Sequence, residues 1–131
     1  MTLFMLDTDT VSFALRGHGN VGAELARRAP SELCVSAITV AELRFGAARR
    51  RSKKIHAAIQ AFVSAVQVMP FHVAAADRFG AVAAALADSG VPIGQMDTLI
   101  ASHALAVRAT LVTNNQKHFA KVRGLHLDNW V

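Results

Sequence analysis

Three acidic side chains, Asp7, Glu42 and Asp97, are of a type and in a placement that invite chemistry. Asp7 closes the apolar run Leu3 to Leu6, Glu42 lies in an apolar stretch beginning at Ser36, and Asp97 precedes Leu99 and Ile100. Each alone has an ordinary explanation, Asp7 and Asp97 as helix N-caps and Thr39-x-x-Glu42 as a capping box. Together in one crevice they would behave differently. Carboxylates sharing a site raise one another's pKa and resist ionising together unless a divalent cation supplies the opposing charge. Oxygen ligands with few His or Cys neighbours favour Mg²⁺, or Mn²⁺ in its place, over zinc. Such a centre activates water and neutralises charge on a phosphodiester, and it offers no covalent nucleophile. The expected chemistry is hydrolysis of a phosphate ester.

The elements between these acids decide whether they can meet. Leu3 to Leu6 reads as a buried parallel strand running into a helix start at Asp7-Thr8-Asp9-Thr10. Val11, Leu15, Val21 and Leu25 fit two helices in a hairpin, broken by Gly17, Gly19 and Asn20. Leu33-Cys34-Val35 gives a second strand, and the helix from Ser36 carries Ile38, Val40, Ala41, Phe45 and Ala48. Further helices are expected from about Lys53 to Val66, from Val73 to Ala87, and from Asp97. Val68-Met69-Pro70-Phe71, Thr110-Leu111-Val112 and Leu125-His126-Leu127 read as the remaining strands. Strands alternating with helices predict an α/β fold, three-layered α/β/α, with a central, mainly parallel sheet of four to five strands. In such a sheet strand ends and helix starts converge on one crevice, so all three acids can reach it.

The bulk properties agree. At 131 residues and 53% hydrophobic content the chain suits one domain spanning 1–131. Its net charge of +5 favours polyanions such as RNA, or an acidic protein, as partners. A lone cysteine, Cys34, excludes an internal disulfide and reads as a buried small hydrophobe. No apolar run approaches membrane-spanning length, and Met1 to Leu6 is too short for a signal-peptide core, so a cytoplasmic protein is expected.

Four blocks carry a resemblance. Phe4-Met5-Leu6-Asp7-Thr8-Asp9, Ser36-Ala37-Ile38-Thr39-Val40-Ala41-Glu42-Leu43, Pro92-Ile93-Gly94-Gln95-Met96-Asp97-Thr98-Leu99-Ile100-Ala101 and Thr113-Asn114-Asn115 resemble, in order, the signature blocks of VapC-type PIN domains. The closing Gly124-Leu125-His126-Leu127-Asp128-Asn129-Trp130 is similar to the tail of the branch that cuts initiator transfer RNA. The resemblance implies a Mg²⁺-dependent endoribonuclease, the toxin of a type II toxin–antitoxin pair, cleaving structured RNA and inhibiting translation and growth. It implies a homodimer held inactive, in a higher-order complex, by a VapB-type antitoxin. It further implies that Asp7, Glu42 and Asp97 are the catalytic acids, with Asp7 and Asp97 the principal metal ligands, and that Thr8 and Asn115 orient ligands by hydrogen bonds. Where the family often has a fourth acid this chain has His118, and where it usually has Asn this chain has Asp9. Asp9 would then compensate electrostatically, or His118 would contact the scissile phosphate.

Other signals compete. Gly17-His18-Gly19-Asn20-Val21-Gly22 matches the dinucleotide fingerprint in letters, yet helix rather than strand precedes it, so a helix-to-helix loop is expected. Asp7-Thr8-Asp9-Thr10-Val11 also resembles the nucleophile motif of haloacid-dehalogenase-like phosphatases. A binding domain of PIN fold without catalysis is the non-enzyme alternative. Arg49-Arg50-Arg51-Ser52-Lys53-Lys54 fits a solvated helix end or, with Arg44, a contact to RNA phosphates. His103 is expected to pack or hydrogen-bond on its own helix.

Overall fold

The computed structural model describes residues 2–131. Five short strands form one sheet: β1 (Phe4–Leu6), β2 (Leu33–Ser36), β3 (Gln67–Met69), β4 (Thr110–Val112) and β5 (Leu127–Asp128). Their order is β3-β2-β1-β4-β5, and every pairing is parallel. Seven helices surround it: α1 (Thr8–Leu15), α2 (Val21–Arg27), α3 (Ala37–Arg49), α4 (Lys53–Ala65), α5 (Val73–Asp88), α6 (Gln95–Ala106) and α7 (Gln116–Phe119). The architecture is the expected three-layer α/β/α fold. Chain order runs outward from β1 through β2 to β3, then returns to β4 on the other side of β1. The order therefore reverses between β1 and β4, which is where the carboxyl ends of a parallel sheet open a crevice.

The period-two alternation of the strands divides the core. Phe4, Leu6, Leu33, Val35 and Val112 face Val11, Val21, Leu43, Ala47, Ile59 and Trp130, so the α1 to α4 layer covers that side. Met5, Cys34 and Leu111 point the other way, against Leu86, Ile100, Ala101, Ala104 and Phe119 of α5, α6 and α7. Cys34 is buried there, and its thiol pKa is pushed up to about 12 by that burial, which keeps it a neutral apolar filler.

Several boundaries differ from the sequence reading. β3 is the sheet edge and its Gln67 and Val68 are exposed, so it lacks the apolar run of a buried strand and begins one residue earlier. β5 lies at Leu127–Asp128, because Leu125 and His126 belong to the approach to the strand. α6 begins at Gln95, after Gly94 at φ +91°, a left-handed conformation that suits glycine. Asp97 thus sits inside its first turn and is not the cap. α3 is capped by Ser36, whose Oγ accepts from the Ile38 amide at 3.1 Å, so the Thr39–Glu42 capping-box alternative fails. Gly17 to Asn20 lie in the loop joining α1 to α2, and Val21 and Gly22 open α2, so a helix-to-helix connection stands there as its context predicted.

The C-terminus closes the α1 to α4 side. Trp130 packs on Phe4 with ring centroids 5.2 Å apart, and the Arg28 guanidinium lies over both rings at 4.2 and 4.8 Å. Its carbonyl accepts from the Asn20 amide, and a Cβ on Gly19 would meet Val131 Cα at 2.8 Å, so the tail is seated against the α1 to α2 loop. Trp130→Ala is expected to lower the unfolding free energy by about 3–5 kcal/mol, read from urea unfolding followed by circular dichroism. A loss below about 1 kcal/mol would mean that the tail is an appendage to the core.

Candidate active site

Asp7 leaves β1 at its carboxyl end and is 4% exposed. Its Oδ1 accepts from the Thr10 amide at 2.8 Å, so the residue is both N-cap of α1 and a wall of the crevice. Burial raises its carboxyl pKa, the Thr113 hydroxyl and Thr10 work in the opposite direction, and the charge of Asp9 adds to the rise. Thr113 follows β4, and its Oγ accepts from the Asn115 amide at 3.0 Å, which leaves its proton for Asp7. Asn115 itself is exposed and makes no side-chain cap to α7.

Glu42 reaches the crevice from the second turn of α3. The Thr8 hydroxyl donates to its Oε1 at 2.5 Å and stands 3.3 Å from the Thr39 hydroxyl, so Thr8 orients a carboxylate as expected. Burial raises the Glu42 pKa, Thr8 lowers it, and the charges of Asp97, Asp9 and Asp7 each raise it. Asp97, on the first turn of α6, is raised by burial, lowered by His118 and raised by Asp9. His118 Nε2 lies 3.0 Å from Asp97 Oδ2. The four acids Asp7, Asp9, Glu42 and Asp97 therefore share one electrostatic environment. His118, in the place of a fourth acid, brings a hydrogen-bond partner instead of another negative charge.

The acids are coupled without being closed up. Among the described residues, no three His, Cys, Asp or Glu side chains form a ready cage for an ion. The donor set is all oxygen, and its raised pKa values mark a surplus of negative charge that a cation would relieve.

The cationic residues divide. Arg44 is committed to α4, donating to the His56 carbonyl and Nδ1 at 3.0 Å each and to Gln60 Oε1 at 2.8 Å. Arg49, Arg50 and Arg51 are exposed where α3 turns into α4, Arg51 at φ +50°. Arg50, with Arg16 and Lys54, rims a cavity of about 660 Å³ that begins at Thr8 and Glu42 and is floored by Leu15, Leu43, Ala47 and Ile59. His103 does not bond along its own helix as expected; it reaches Ser36 at the end of β2. Thr113 and Ser36 were the side chains that sequence reasoning passed over. Both lie in the quoted signature blocks, Ser36 at the head of the second and Thr113 at the head of the fourth.

A family model described as the PIN domain matches residues 4–125. A tRNA(fMet)-specific endonuclease VapC from Shigella flexneri is 34% identical over 131 residues, 99% of each chain. Among solved structures, the DNA-bound VapBC of Salmonella typhimurium superposes with a TM-score of 0.94 at 32% identity over 100% of both chains. VapBC2 of Rickettsia felis, bound to a DNA fragment from its promoter, gives 0.89 at 32% identity over 99% of this chain and 100% of that one. These matches leave no role for the phosphatase reading of Asp7-Thr8-Asp9, whose strand-to-helix turn they share with a different family. Nucleases of the matched fold generally use divalent metal ions. With its five-stranded parallel sheet, its acids at the switch between β1 and β4 and its end-to-end similarity to VapC proteins, the chain belongs to the PIN-domain family, among the VapC-type members.

Proposed function

We propose that the protein is a Mg²⁺-dependent endoribonuclease acting on transfer RNA, with initiator transfer RNA the first substrate to test. The observation that carries this reading is the coupling of Asp7, Asp9, Glu42 and Asp97 at the crevice between β1 and β4, in a chain whose relatives are VapC nucleases. Mg²⁺, with Mn²⁺ as a substitute, would be held by Asp7 and Asp97 and, when bound, would activate water and offset charge on the phosphodiester. Thr10 and Thr113 hold the Asp7 carboxylate, Thr8 aims Glu42, and His118 restrains Asp97. Asp9 deepens the negative potential without a hydrogen bond to the other acids. Arg49, Arg50 and Arg51 are free to meet RNA phosphates, which positions a substrate without reading its sequence. Arg44, tied to α4, serves the scaffold on this reading.

Control by a VapB-type antitoxin belongs to the same proposal. The cavity beside Glu42 has an apolar floor and a cationic rim, a fit for an acidic amphipathic segment, and an arginine from that segment would meet the acids beyond it. Exposed Phe45, Val68 and Val73 supply apolar surface for a homodimer. Among the described residues no helix is long and apolar enough to cross a membrane, and a transfer RNA substrate places the reaction in the cytoplasm.

The deciding experiment is incubation of total transfer RNA with the purified protein and Mg²⁺ or Mn²⁺. Discrete fragments that vanish with EDTA are expected, and Asp7→Asn and Asp97→Asn should each lower the rate by about 100-fold or more, since loss of an outer-shell partner alone reaches that size. RNA binding with no cleavage under either metal would leave a binding domain.

Stability should move the opposite way. A raised folded-state pKa means that an acid's stabilising, neutral form is fully present below its unfolded pKa and is lost as pH rises through the folded value. At neutral pH these carboxylates therefore strain the metal-free fold. Asp7→Asn keeps a good N-cap and should melt several degrees above wild type in EDTA, a gap that added Mg²⁺ narrows. Equal melting in EDTA would show that the crevice carries no such strain.

His118 is the second pH handle. It holds the Asp97 pKa down against burial and Asp9, so His118→Ala should shift the acidic limb of the cleavage profile toward higher pH. An unmoved limb would detach His118 from Asp97 in solution.

A further inference from the structure

Ser36 ends β2 and caps α3, and its Oγ also lies 2.7 Å from Nδ1 of His103 on α6. Both residues are completely buried. A serine hydroxyl has one proton and two lone pairs, and the Ile38 amide uses one of the pairs. If the proton points to Nδ1, the single group left over is the Nε2–H of His103, which has no partner. If Nδ1 donates instead, the Ser36 proton is stranded along with Nε2. The first arrangement leaves fewer buried polar groups unpaired, so Nδ1 accepts and Nε2 carries the hydrogen. Burial holds the imidazole pKa down to about 4, which keeps this neutral form throughout the physiological range. Phe71, T-shaped at 5.3 Å, and His72 at 5.7 Å wall the ring in place.

The two ends of this bond sit on the elements that carry the acids. His103 is six residues beyond Asp97 on α6, about 9 Å along the axis, and Ser36 heads the helix that bears Glu42. Among the described residues it is the one side-chain hydrogen bond joining α6 to β2 or α3. We infer that His103 is a positioning residue: bonded to Ser36, it fixes α6 against the head of α3 and so sets the separation of Glu42 from Asp97. The inference rests on the reading that these acids hold a divalent cation, for which slack of about 1 Å between ligands is enough to matter.

The test is calorimetric titration of Mn²⁺ into the RNA-free protein, with a melting curve for each variant. His103→Leu keeps apolar bulk and loses the bond, whereas His103→Asn places its Oδ1 near the position of Nδ1 and keeps an acceptor. His103→Leu and Ser36→Ala should each weaken Mn²⁺ binding by about tenfold, with His103→Asn within about threefold of wild type. The double variant His103→Leu/Ser36→Ala should lose no more than either single one, since both break the same bond. If His103→Leu does not fold, the comparison of Ser36→Ala with His103→Asn carries the same expectation. Lower melting temperatures with unchanged Mn²⁺ affinity would overturn the positioning role and leave the metal site intact. Absence of Mn²⁺ binding by the wild type would overturn the metal-site reading and this inference with it.

Discussion

Mutual repulsion among four carboxylates in a half-buried crevice is the constraint around which the molecule is organised. Water would screen such charges on an open surface, but burial is the largest cause of the rise in pKa for Asp7, Glu42 and Asp97 alike. The fold answers with hydrogen-bond partners for three of them: Thr10 and Thr113 for Asp7, Thr8 for Glu42, His118 for Asp97. None of these partners is acidic, and only His118 can carry positive charge. The arrangement keeps the acids oriented without neutralising them, which leaves a deficit that a cation from solution is suited to fill.

What allows this concentration of charge is the parallel sheet beneath it. β1 is paired on both sides, by β2 and β4, and its three residues are buried on both faces. Asp7 therefore emerges from a strand held on both sides and on both faces. Asp97 and Glu42 are presented by helices whose apolar faces belong to opposite core layers, so the crevice is the meeting point of two separately packed halves.

Much of this was legible in the sequence because it is encoded locally. Short apolar runs ending at Asp7, Ser36 and Thr113 mark strands whose burial on both faces demands such runs. Edge strands defeat that logic: β3 is exposed, so its residues need no apolar run, and its bounds were recoverable only to within two residues. The helix start ahead of Asp97 was missed, because Gln95 and Met96 give no capping signal and Gly94 was not read as a helix boundary. The acids were legible by type and placement, their partners much less so. Ser36 reaches His103 across 67 positions, and His118 reaches Asp97 across 21, pairings that depend on tertiary packing and leave no periodicity behind. Thr8 was named through the resemblance, whereas Thr113 could not be told from its neighbours Asn114 and Asn115 until the turn after β4 fixed which side chain faced Asp7.

The double employment of Asp7 bears on how it can bind. Its Oδ1 is already engaged by the amide that begins α1, so lifting that oxygen away would uncap the helix at the wall of the crevice. That double duty fixes the carboxylate in place before any ion arrives. It also makes the carboxylate's length matter twice, since a glutamate in its place would have to satisfy a helix end and an ion from a longer, looser stem.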